Sequence, residues 1–368
     1  DTHCHAPQFS FVGLGTGVPL LQWLEKFTFN YEAQFKDLEF AKKIYPKVVD
    51  RLLKNGTTTV SYFATIHLEA TKYLHDLCVE AGQRALVGKV CMDRNGAPHY
   101  VEESTAVSLA DTEAFIKYCA EKGSSLVKPT ITPRFAITCT EELLSGLGAL
   151  AKKYDCHVQS HLNENRGEIA FTKELFPGKT YTEVYQAAGL LTRKTVMAHC
   201  VHHDAADLAL MRTAGTGLAH CPTSNFSMFS GLCHVRQALD ADVHVGLGTD
   251  VAGGFHPSLL STIRDALHTA SAIQTNGNAQ NANAGLTFDE AFYLATLGGA
   301  EALNLENSVG NFIVGKAFDA LVINTATAPI DLFGEETSRQ LLEKFIFTGD
   351  DRNIEHVYVQ GRRVSGSS

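Results

Sequence analysis

A chain of 368 residues is too long for one small core, and it suits a barrel of alternating strands and helices with a small appendage. Its net charge of −9 and pI near 6.0 leave no basic footprint for a nucleic-acid polymer or an anionic membrane surface, so any nucleobase substrate is expected to be free. No run of about 18 apolar residues occurs and no charged-then-apolar leader precedes residue 1, so a soluble, cytoplasmic protein with no membrane partner is expected.

The chain opens "DTHCH". In an extended strand residues i and i+2 point to one side, so His3 and His5 can reach a single metal ion together. Short β-branched runs then recur between helical patterns, and with the opening segment they predict strands at 1–5, 57–67, 84–92, 125–135, 157–164, 195–200, 216–225 and 243–250. Among the helices, "FKDLEFAKKIYPKVVDRLLKNG" places Leu38, Ala41, Ile44, Val48 and Leu52 on one face and stops at Asn55-Gly56. "CTEELLSGLGALAKKYD" and "DAADLALMRTAG" read the same way. Strand–helix alternation repeated this often implies a parallel sheet, and eight units imply closure into a (β/α)8 TIM-type barrel. An open doubly wound sheet is the alternative, but no G-x-G-x-x-G follows a first strand.

After the eighth strand come "SLLSTIRDALHTASA" and "TFDEAFYLATLGGAEAL", the second opening on Thr287 with Glu290 three residues on, a capping box. Between them "QTNGNAQNANAG" (274–285) is expected to be an exposed loop. From about Gly310 the texture changes to alternating strands with glycine turns, "NFIVGKAFDALVIN" and "EHVYVQGRRVSG". The expected division is a catalytic barrel over 1–309 and, over 310–368, the C-terminal strands of a small β domain whose other part is missing.

Nine cysteines form an odd set without a C-x-x-C pair, which suits reduced, buried thiols. A metal would therefore need histidines and carboxylates. Of the sixteen histidines, His75, His268 and His356 read as ordinary surface or packing residues. In a barrel of this kind the active site lies at the C-terminal strand ends, and those ends carry His3 and His5, then His161 and Glu164 in "SHLNE", His199 in "AHC" and Asp250 in "GTD". Three imidazoles and a carboxylate converging on the axis supply the N/O ligands that a catalytic zinc prefers. Zinc lowers the pKa of bound water from about 15.7 to about 7. Asp250 can then ligate the metal and take the water's proton, Glu164 can carry a proton to a ring nitrogen, and His199 can orient the hydroxide. His67-Leu68-Glu69 is an H-x-E, but a cytidine-deaminase-type zinc site also needs P-C-x-x-C, which the chain lacks.

The set "DTHCH", "SHLNE", "AHC" and "LGTD" resembles the amidohydrolase superfamily, in particular its mononuclear aminohydrolase branch. The strings "HAPQFSF", "PLLQWLEKFTF", "LKNGTTT", "TPRF", "AHCPTSN", "GLGTDVAGG" and "TGDDRNIEHVYV" are similar to the guanine-deaminating members of that branch along almost the whole chain. The resemblance implies one Zn2+ per chain held by His3, His5, His161 and Asp250, with Glu164 as proton shuttle and His199 assisting. It implies that Gln8, Arg134 and Phe135 contact the base, alongside His161 and Glu164, with Gln8 offering both faces of its amide, Arg134 donating to a carbonyl and Phe135 walling the purine face. On composition alone Arg134 would read as a surface salt bridge. The implied activity is hydrolytic deamination of guanine to xanthine and ammonia in purine catabolism, by a homodimer. Family members carry several dozen residues before the first barrel strand, so the chain is expected to begin inside that strand. Two alternatives remain open: the same chemistry on cytosine, 8-oxoguanine, a thioadenosine or a triazine, and a non-catalytic scaffold of the kind found among relatives that lack metal ligands.

Overall fold

The computed structural model describes residues 1–276, 283 and 285–366. The barrel strands are β1 (Cys4–His5), β2 (Thr59–Phe63), β3 (Arg84–Gly88), β4 (Val90–Cys91), β5 (Val127–Pro133), β6 (His157–Leu162), β7 (Thr195–His199), β8 (Gly217–His220) and β9 (Val245–Leu247). All pair in parallel in the order β1-β2-β3-β5-β6-β7-β8-β9, with β4 beside β5. The sheet curls until its ends meet. The N–H of Thr2 donates to the Leu247 carbonyl at 2.9 Å, that of Asp250 to His3 at 2.9 Å, and that of His5 to Val251 at 3.1 Å. The Asp1 carboxylate reinforces this seam by accepting from the Thr249 N–H at 3.0 Å and the Thr249 hydroxyl at 2.6 Å. The eight expected strands are thus present in order, as a TIM-type barrel. The strand expected over 84–92 is interrupted at Lys89, whose buried ammonium pairs with Glu102 and donates to the Val90 carbonyl at 3.0 Å.

Helices form where the apolar period and the caps agree. Leu38–Lys54 starts on Asp37, whose carboxylate accepts from the Glu39 N–H at 2.9 Å, and buries Ala41, Ile44, Val48 and Leu52 as expected, along with Tyr45, Val49 and Leu53. Leu38 lies at the margin, half-buried. Glu141–Tyr154 is capped by Thr140, Ala205–Ala214 by Asp204, and Phe288–Leu294 by the Thr287–Glu290 box. The loop expected over 274–285 is partly helix, because Leu259–Asn276 runs on through its first residues; 277–282 and 284 lie outside the described residues. The helical pattern from Thr287 breaks, and a second short helix, Leu297–Ala302, packs against the barrel. Glycines permit that approach: a Cβ on Gly217 would fall 2.3 Å from the Ala302 carbonyl oxygen, and one on Gly246 would fall 2.8 Å from Gly299 Cα.

Beneath the catalytic end the barrel interior is partly polar. Gln159 accepts from Ser61 Oγ at 2.6 Å and donates to the Tyr62 carbonyl at 2.9 Å and to Thr132 Oγ1 at 3.0 Å, so this buried amide is satisfied. At the C-terminus β10 (Ala320–Ile323), β11 (Ile354–Val359) and β12 (Arg362–Gly366) form a three-stranded antiparallel sheet. The helix Ser338–Thr348 is tied to the barrel layer by Arg264, which donates to the carbonyls of Ile346 and Gly349, both at 2.6 Å. All nine cysteines are free, and all but Cys156 are buried. Among the described residues no helix is long and apolar enough to cross a membrane.

Candidate active site

Strand ends set the geometry. β1 delivers His5 with His3 just before it, β6 delivers His161, β7 ends on His199, and Asp250 follows β9 by three residues. His199 and Asp250 adopt left-handed backbone conformations, φ 69° and 48°, which cost a non-glycine residue of order 1–3 kcal/mol and recur at functional sites. Here each lies where its strand turns off at the barrel mouth.

The result is a tight cluster of buried donors. His5 Nε2 lies 3.2 Å from His161 Nε2 and 3.4 Å from Asp250 Oδ1, and His3 Nε2 lies 3.1 Å from the same oxygen. His199 Nε2 is 3.7 Å from Asp250 Oδ2 and 3.6 Å from Glu164 Oε2. The set fits a metal ion on two grounds. Ligands about 2.0–2.1 Å from a tetrahedral zinc stand about 3.3–3.4 Å apart, close to the separations observed. Furthermore, the buried His3 Nε2 has no aligned hydrogen-bond partner despite its nearness to Asp250, as expected of two atoms aimed at a common third one.

Neighbouring groups fix which nitrogens face inward. His161 Nδ1–H donates to the Arg134 carbonyl at 2.6 Å, and His199 Nδ1–H to Asn225 Oδ1 at 3.0 Å, so each turns an Nε2 lone pair into the site. Burial pushes the imidazoles of His3, His5 and His161 below their ordinary range, keeping them neutral and able to ligate. Burial pushes Asp250 the other way, but the close approach of His3 and the surrounding imidazoles of His199 and His5 outweigh it and hold this carboxyl well below the carboxylate range. Glu164 is the opposite case. Burial, then the charge of Asp250, hold its carboxyl well above that range, against the Ser230 hydroxyl and Arg134. Two carboxyl groups with proton affinities driven apart are a recurrent sign of acid–base work.

Beside the cluster opens a pocket lined by Gln8, Arg134, Phe135 and Glu164 together with the apolar side chains of Leu20, Trp23, Leu24 and Met228. Arg134 does make a salt bridge, but a buried one: Nη1 and Nη2 donate to Glu32 at 2.7 and 3.2 Å. The Gln8 amide is not wholly free for a base. Its Nε2 donates to Glu32 at 2.9 Å and its Oε1 accepts from the Ala252 N–H at 3.1 Å, leaving one N–H and one lone pair. Phe135 meets His161 edge to face, with centroids 6.4 Å apart. His3, His5, Gln8, Arg134, Phe135, His161, Glu164, His199 and Asp250 are therefore gathered in one place. His67 and Glu69 join no metal-holding group among the described residues, and Glu69 pairs instead with Lys72 at 2.7 Å. The sequence reading missed Glu32, Tyr100 and Ser224; only Ser224 sits in a string singled out for other reasons, "AHCPTSN".

A family model described as "Amidohydrolase family" matches residues 1–364. The chain is 48% identical to a guanine deaminase of Dictyostelium discoideum over 368 residues, covering 99% of this chain and 81% of that protein. It is 47% identical to the guanine deaminase of Homo sapiens over 371 residues, with the same shares covered. A crystal structure of guanine deaminase from C. acetobutylicum with bound guanine in the active site superposes with a TM-score of 0.94 at 40% identity, over 99% of this chain and 85% of that one.

Proposed function

The chain belongs to the amidohydrolase family, and from that premise we propose that it is a hydrolase converting free guanine to xanthine and ammonia. The observation that carries the reading is the meeting, in one pocket, of a buried His/Asp cluster with a carboxyl of raised proton affinity and an arginine–glutamine pair able to read a purine edge. The proposed metal is zinc, one ion per chain, which His3, His5, His161 and Asp250 would hold and which, when bound, lowers the pKa of water to about 7.

The chain's own residues handle the base and its protons. The unspent N–H groups of Arg134 point the carbonyl of guanine into the pocket, the free half of the Gln8 amide holds a ring edge, and Phe135 walls one face. Asp250 takes one proton of the attacking water, while the protonated Glu164 gives its own to the ring nitrogen beside the carbon that bears the amine. The water oxygen bonds to that carbon. The exocyclic nitrogen then takes the proton from Asp250 and leaves as ammonia, and Glu164 recovers a proton from the new hydroxyl as the second carbonyl of xanthine forms. His199, facing both carboxylates, steadies the charge that develops between them.

The same reading extends to a homodimer working in the cytoplasm on guanine released in purine catabolism. We also propose 1–309 as the catalytic unit and 310–368 as a small β unit, supported by the antiparallel sheet of β10–β12. Full-length, zinc-loaded protein should be assayed with guanine, adenine, cytosine and 8-oxoguanine by absorbance and ammonia release. Sites built on such hydrogen bonds reject a mismatched ligand by about 10⁴–10⁵. Equal or better turnover of any competitor would overturn the guanine reading and leave the hydrolytic site standing.

A further inference from the structure

Glu32 lies outside the metal-holding cluster and does not itself line the pocket, yet it is fully buried at the end of the short helix Phe29–Glu32, directly behind two residues that do. Its carboxylate accepts four hydrogen bonds. Two come from Arg134, at 2.7 and 3.2 Å; one comes from Gln8 Nε2 at 2.9 Å and one from the Tyr100 hydroxyl at 2.6 Å. Four bonds use the full acceptor capacity of a carboxylate, so nothing remains for a ligand. Behind the guanidinium, the ring of Phe29 lies with its centroid 5.4 Å from Arg134 Cζ.

The arrangement settles two questions of orientation at once. An amide can flip, but here one end of Gln8 faces the acceptor Glu32 and the other faces the Ala252 N–H, so its nitrogen and oxygen have only one satisfied placement. Arg134 commits one N–H from each terminal nitrogen to Glu32, and only the remaining donors are left for the pocket. Glu32 also cancels the guanidinium charge, so the pocket offers donors for a carbonyl without a net field that would favour an anion. We infer that Glu32 is the positioning residue of the base-recognition arm, holding Gln8 and Arg134 in the one arrangement that reads a neutral purine edge.

The inference rests on guanine as substrate, and its test separates the two. Wild type, E32Q, R134M and the double variant are compared for kcat, KM and metal content. Glutamine keeps the shape of Glu32 but loses the charge and one acceptor, so KM should rise on the order of 10- to 100-fold, with metal content unchanged and kcat reduced far less. In the R134M background E32Q should add little further, because the two act through one interaction. Inhibition by xanthine, the more acidic of the two bases, should strengthen relative to guanine binding in E32Q as pH rises. An E32Q enzyme with wild-type KM, or one in which KM, kcat and metal content fall together, overturns the positioning role. If wild type proves to act on another base, the guanine reading fails and the same KM comparison is made on that base. Should E32Q not fold, Tyr100→Phe removes one of the four bonds without stranding a charge: a KM raised a few-fold supports the inference, and an unchanged KM sinks it.

Discussion

Gly253→Ala is a small change with a large expected effect. Gly253 lines the pocket three residues after Asp250, and its backbone is not left-handed, so alanine is conformationally allowed. The added Cβ would nevertheless stand 2.5 Å from Ser224 Oγ and 2.8 Å from Asp250 Oδ2, where contacts of 3.4 Å or more are ordinary. Ser224 can yield, since its buried hydroxyl has no partner. Asp250 cannot yield without disturbing the cluster, because its other oxygen is set against His3 at 3.1 Å and His5 at 3.4 Å. The carboxylate must therefore move by roughly half an ångström, and displacements approaching 1 Å at a reacting centre cost about 10²-fold. We expect kcat/KM for guanine to fall by about 10–10² while the melting temperature stays near wild type. Steady-state kinetics with a thermal melt checks both. The double variant Ser224→Ala/Gly253→Ala relieves only the yielding contact and should not recover activity. Wild-type kinetics in Gly253→Ala, or full rescue in the double variant, would refute the reasoning.

Replacing His161 with Ala should remove both metal and activity, measured by plasma mass spectrometry beside ammonia release; retained stoichiometric metal with normal turnover would show that the site is misassigned. Glu164→Gln should lower turnover by roughly 10²–10⁴-fold at unchanged metal content, and a variant of wild-type rate would pass the proton to Asp250 or His199. His220 is fully buried with neither ring nitrogen partnered, and burial, then His199, lower its pKa from 6.5 to about 3. The unfolded chain therefore binds the extra proton between those values. The stability from keeping this ring neutral is complete above about pH 6.5 and is lost as pH falls toward 3, by at most roughly 5 kcal/mol. Urea unfolding of the metal-free protein across this range should show a steeper acid loss for wild type than for His220→Leu, and parallel profiles would contradict the assignment.

The barrel was legible because a parallel strand buried on both faces must be written as a short apolar, β-branched run, and eight such runs recur between capped helices. The cluster was legible for a related reason: strand ends are local features, so "DTHCH", "SHLNE", "AHC" and "GTD" mark their places before any contact is known. What escaped were pairings across the sequence. The strand break at Lys89 coincides with its pairing to Glu102, and Glu32 bonds Arg134 from 102 residues away; neither leaves a periodic trace. The half-spent amide of Gln8 escaped for the same reason, since its partners Glu32 and Ala252 lie 24 and 244 residues distant. The run from Thr287 reads as one helix locally, whereas the close seat that Gly217 and Gly246 provide holds Leu297–Ala302 as a separate piece.

His3 and His5 stand on one side of the joint between the first and last barrel strands, and Asp250 stands on the other, held by the backbone bonds of Thr2, His5 and Asp250. That joint spans nearly the whole barrel sequence, so closing it carries the largest loop-closure entropy of the strand pairings in the barrel. His161 and His199 stand on neighbouring strands, whereas His3 and His5 meet Asp250 only across this joint. The donor set is therefore complete only where the barrel is closed, so the centre and the closure of the sheet are one structural feature.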